Sequence, residues 1–128
     1  MVKTSSDKWK STVLKYKKQC QSILQISKNI RYAGVINNYG RTLTGVIKPT
    51  LKPILKSEEV KHEFFIISTL LTLRKDNTTS IGKLDHVLLK HSKVNIVVFL
   101  KNDVAFYVSI NSKEKSLDKI ISSIKKTI

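Results

Sequence analysis

Only one cysteine, two prolines and four glycines occur among 128 residues. The lone Cys20 excludes an intramolecular disulfide and a cysteine-based zinc site, and it suits a reducing compartment, so a cytoplasmic location is expected. Acids are scarce as well: nine Asp and Glu stand against 24 Lys and Arg, a net charge of +15. No apolar run approaches the ~20 residues of a membrane span. The N-terminal lysines lead into no apolar stretch of signal-peptide type. At 41% hydrophobic residues the chain is too apolar for a disordered tail, even at this charge. The length fits one domain over residues 1–128, with 1–7 expected to be flexible. A domain of this size buries roughly two-thirds of its unfolded surface, enough for a core.

Signatures of catalysis are also missing. Gly34, Gly40 and Gly45 follow neither GxGxxG nor GxxxxGK[ST] spacing, and neither GxSxG nor HExxH occurs. His62, His86 and His91 are the only histidines. His86 and His91, five apart across a strand and its turn, point to opposite faces and read as surface residues. Glu59 and Glu63 stand one helical turn apart, as a solvated face rather than a carboxylate pair. Cys20 falls on an apolar stripe and reads as a buried, inert thiol. Neither an enzyme nor a metal or cofactor is expected.

What is present is periodicity. Trp9, Val13, Tyr16, Cys20, Ile23 and Leu24 recur at steps of three and four, predicting a helix over about 8–27 with Ser5, Ser6 and Asp7 as cap residues. The stripe assigns Trp9 and Tyr16 to the core. Residues 30–36 and 41–48, around the turn cluster Asn37-Asn38-Tyr39-Gly40, read as a β-hairpin. Gly34 and Gly45 inside its strands point to a bulge or a closely packed helix. After Pro49 and Pro53, a second helix opens at Ser57 as N-cap with Glu58 and Glu59 in its first turn, and closes over residues 76–79. Val60, Phe64, Ile67 and Leu71 line one side, and Phe65, Ile66, Leu70 and Leu73 a second, so this helix is expected to be covered twice. Three short strands follow at 84–90, 94–100 and 104–110, and a last helix spans about 113–128. The 94–100 strand is apolar on both faces except Asn95, so it is expected to be central and covered on both sides. The order is α-β-β-α-β-β-β-α: an α+β domain with a five-stranded antiparallel sheet and three helices, one arrangement of which puts the middle helix on one face and the terminal helices on the other.

This arrangement resembles the roadblock/LC7 module, a relative of the longin and profilin-like folds. The likeness rests on residues 30–41 (IRYAGVINNYGR), on Lys52-Pro53-Ile54-Leu55, and on Ile81-Gly82-Lys83 leading into the three-strand block. It covers about 20–127 and extends to small archaeal proteins of ammonia-oxidising lineages. The resemblance implies no catalytic residues and a dimeric scaffold or regulatory module, including regulators of small GTPases. A protein partner or homodimer is therefore expected.

The lysine-rich first helix departs from that pattern. Residues 1–57 hold twelve Lys and Arg against Asp7 alone, while 58–128 hold twelve against eight acids. The alternative reading is a nucleic-acid binder using Lys8, Lys10, Lys15, Lys17, Lys18, Lys28 and Arg31, extended by Lys3. Neither an RNP nor a KH, zinc-finger or helix-turn-helix signature accompanies these residues. Attachment to a membrane surface through the basic amphipathic helix ranks third, because the sheet needs the apolar stripe. No polar cluster in the sequence defines a small-molecule pocket.

Overall fold

A computed structural model describes residues 4–76 and 78–128. The chain runs α1 (Ser5–Leu24), β1 (Ile30–Ile36), β2 (Thr42–Ile47), α2 (Ser57–Asp76), α3 (Thr78–Ile81), β3 (Val87–Lys90), β4 (Val94–Lys101), β5 (Val104–Asn111) and α4 (Leu117–Thr127). The strands form one sheet in the order β2-β1-β5-β4-β3, every neighbouring pair antiparallel. The expected fold class is correct, with the single-turn α3 added. As expected, β4 is an interior strand covered on both sides, because its alternate residues serve different layers; β5 lies at the middle of the sheet.

Each face of the sheet has its own core. Cys20, Ile23 and Leu24 of α1 and Ile120, Ile121 and Ile124 of α4 pack with Ala33, Val35, Val97, Phe99, Phe106 and Val108. On the opposite face Phe64, Ile67 and Leu71 of α2 pack with Ile36, Ile96, Val98, Ala105 and Tyr107. The expected division of helices between the faces is therefore observed.

Local chemistry sets the element ends. Thr4, not Ser5 or Ser6, caps α1: its hydroxyl accepts from the Asp7 amide at 3.1 Å, and Asp7 Oδ2 accepts from the Thr4 amide at 3.3 Å. Thr4 to Asp7 thus form the cap and first turn, while residues 1–3 lie outside the described residues. α1 stops at Leu24 rather than near 27. Ser27 instead accepts from the Asn29 amide and donates to Glu114 Oε1 at 2.7 Å, and Asn29 Nδ2 donates to the same oxygen. Glu114 also accepts from the Ser116 amide, so the segment before α4 is a tied loop and that helix starts at 117 instead of 113. Ser57 is the first helical residue of α2, not its cap; the Lys56 amide donates to Glu59 Oε1 at 3.1 Å. The expected end of α2 includes Asn77, outside the described residues. β3 begins three residues late, because Asp85 turns to Lys125 of α4 and to His86 rather than joining the ladder. In the two-residue β4–β5 turn Asn102 and Asp103 both take positive φ, which these residue types tolerate. Among the described residues, no helix is long and apolar enough to cross a membrane.

Candidate interaction surfaces

Helix α2 is covered once, not twice. Its inner side is spent on the sheet, while Phe65 and Ile66 are each 62% exposed and Leu73 is 57% exposed. At 100° per residue these three, with His62 and Thr69, form one outward stripe. Leu88 on the edge strand β3 is exposed as well. The sequence marks these residues correctly as apolar, but among the described residues no second layer buries Phe65 and Ile66.

Helix α1 shows the opposite deviation. Burial rises along it: residues 4–11 are exposed, Val13 and Tyr16 are half-buried, and Cys20, Ile23 and Leu24 are buried. Trp9 lies on the correct stripe but is 55% exposed, because the first turns of the helix run past the layer that covers the rest. Tyr16 keeps its core role, edge-on to Phe106 at 5.9 Å between ring centroids. Lys8, Lys10, Lys15, Lys17 and Lys18 are all exposed on this helix, so Trp9 stands in water among them. A shallow groove of about 370 Å³ between α1 and α4 is lined by Lys15, Lys18 and Gln19. Lys28 is exposed in the turn after α1, its carbonyl accepting from Lys48 Nζ at 2.6 Å. Arg31 stands apart from the α1 lysines. It is half-buried on β1, its guanidinium donates to the Lys52 carbonyl at 3.2 Å, and it faces the α2 side. Lys3 lies outside the described residues.

A third surface was not legible in the sequence. Between the 48–56 loop, the first half of α2 and the sheet lies a cavity of about 550 Å³. Tyr32, Phe64, Ile96 and Tyr107 line its interior, and Arg31, Lys52, His91 and Lys93 also border it. The cross-strand pair Gly34–Gly45 lets the Tyr32 ring lie flat on the sheet: a Cβ at Gly34 would meet Tyr32 Oη at 2.2 Å. These glycines thus make room for the Tyr32 ring, and the register shifts of β1 fall between Val35 and Ile36 and between Ile30 and Tyr32 rather than at either glycine. Tyr107 donates to Glu63 Oε2 at 3.3 Å, and burial first, then the Glu63 charge, raises its pKa. Glu63 therefore partners a core tyrosine, and Glu59 is spent at the start of α2. His86 lies beside Asp85 at 2.9 Å. Among the described residues, no three His, Cys, Asp or Glu side chains are placed to hold a metal.

No family model and no curated protein matches the sequence. Solved structures do match its shape. The gliding protein MglB of Thermus thermophilus superposes with a TM-score of 0.72 at 10% identity, over 90% of this chain and 84% of that one. A roadblock/LC7 domain from Streptomyces avermitilis gives 0.59 at 11% identity, over 86% and 94%. An MglB in a tetrameric arrangement gives 0.65 at 7% identity, over 99% and 93%. At such identities the likeness speaks for the fold, and the chain has a roadblock/LC7-like fold.

Proposed function

We propose that this protein is a non-catalytic interaction module that assembles through the outer face of α2, with a second copy of the chain as its first occupant. The observation that carries this reading is the pair Phe65 and Ile66, each 62% exposed on a helix whose opposite side is already packed. Exposed apolar patches of this kind mark contact sites, and an edge strand such as β3 offers further pairing. A solved MglB of the same fold has a tetrameric arrangement, in keeping with assembly. Light scattering is expected to give twice the 14.6 kDa chain mass. The double substitution Phe65→Asp/Ile66→Asp is expected to halve that mass while leaving the far-UV spectrum unchanged, since both side chains are mostly exposed. A wild-type protein that stays strictly monomeric at high concentration overturns the reading.

A second reading, nucleic-acid binding by α1, is favoured by one observation: Trp9 is exposed beside Lys8 and Lys10, free to stack on a base. Each phosphate neutralised on duplex DNA steepens the dependence of log K on log salt by about 0.9. Titration of random duplex and single strands at two salt concentrations tests this. Binding at physiological salt that is lost on charge reversal of Lys15, Lys17 and Lys18 supports it; weak binding that ignores those substitutions removes it.

A further inference from the structure

We propose that the cavity between the 48–56 loop, α2 and the sheet is a binding site for a single-chain amphiphile with a carboxylate head. Its size, about 550 Å³, lies within the range of sites that enclose a small organic ligand. Its floor is aromatic and aliphatic: Tyr32 and Tyr107 meet edge to face at 6.2 Å, and Phe64 meets Tyr107 at 4.8 Å. This apolar lining selects a tail rather than a compact anion.

The charges select the head. Arg31 stands at the start of β1 and Lys93 immediately before β4. The end of β5 holds these two starts together, with the Asn111 amide donating to the Asn29 carbonyl at 2.7 Å and the Ser112 amide to the Lys93 carbonyl at 3.2 Å. The Arg31–Lys52 hydrogen bond brings the loop to the same end. Three cations therefore border one end of an apolar cavity. The single acid of the lining, Glu63, already accepts from Tyr107, so it competes little for them. A tail along the tyrosines with a carboxylate at Arg31, Lys52 and Lys93 satisfies both halves of the site.

The test is calorimetric titration of the protein with dodecanoate below its micelle concentration, beside dodecylamine and butyrate. Dodecanoate is expected to bind saturably with one molecule per chain, and the other two weakly or not at all. Lys93→Glu and Lys52→Glu are each expected to weaken binding about fivefold, the size of an exposed charge contact. Lys15→Glu makes the same change of net charge on α1 and is expected to leave the affinity unaltered. On saturation the ring resonances of Tyr32 and Tyr107 should shift. Equal binding of dodecylamine, equal binding of butyrate, or equal damage from Lys15→Glu each overturns the proposal. So do resonance shifts confined to Phe65 and Ile66, which would place the amphiphile on the outer face of α2.

Discussion

At the scale of single residues, burial sorts side chains of equal sequence rank. Trp9 and Cys20 share one helical stripe, yet one is in water and the other wholly enclosed. Enclosure pushes the Cys20 thiol from its ordinary 9.0 up to about 12 and the Tyr32 hydroxyl from 10.0 up to about 12, and it raises Tyr107 too. In all three the fold favours the neutral form, so the unfolded chain ionises first. Their stabilisation is complete below about pH 9 and is lost as the pH rises from the unfolded values through the folded ones. Urea unfolding between pH 8 and pH 11 should therefore show a flatter pH dependence for Cys20→Ala and Tyr107→Phe than for the wild type. Lysine deprotonation is common to all three proteins and cancels in that comparison. Identical slopes would mean that neither group is held neutral by the fold.

At the scale of elements, the amphipathic pattern locates helices and strands but is silent on which sides meet. Ile30–Ile36 is the strand the sequence predicts to the residue, because β-formers there are bounded by Asn29 and a turn cluster. The 113–116 segment is misread as helix, because the Glu114 contacts to Ser27 and Asn29 that tie it down cross most of the chain. Gly40 shows how one residue joins two elements. It takes φ +79 in the β1–β2 turn, and a Cβ there would lie 2.8 Å from the backbone of Phe64 and Phe65 in α2. Gly40→Ala is therefore expected to destabilise by at least the ~1–2 kcal/mol of a left-handed non-glycine residue, measured by urea unfolding. A loss no larger than a few tenths would show that the turn and helix do not bear on each other.

For the molecule as a whole, charge opposes packing. A net +15 on 128 residues repels itself in the compact state, and ion pairs such as Lys75–Asp103 at 2.7 Å and Lys125–Asp85 offset it locally. Raising ionic strength from 0.01 M to 0.1 M shortens the screening length from about 30 Å to about 10 Å. The melting temperature is expected to rise over that range in a non-coordinating salt. A flat or falling melting temperature would indicate that the lysines are spaced widely enough to ignore one another.

Composition and periodicity alone determined the order of elements and the hairpin-built sheet, because both follow from local alternation of apolar residues and from turn chemistry. Tertiary structure decided what the surface offers. Whether Trp9 is covered depends on how far a layer extends, and whether Phe65 and Ile66 are covered depends on which side of α2 the sheet takes. The tyrosine-floored cavity forms only where β1, β4, β5 and the 48–56 loop converge. Such surfaces are built from residues far apart in sequence, and no spacing along the chain encodes the distance between them.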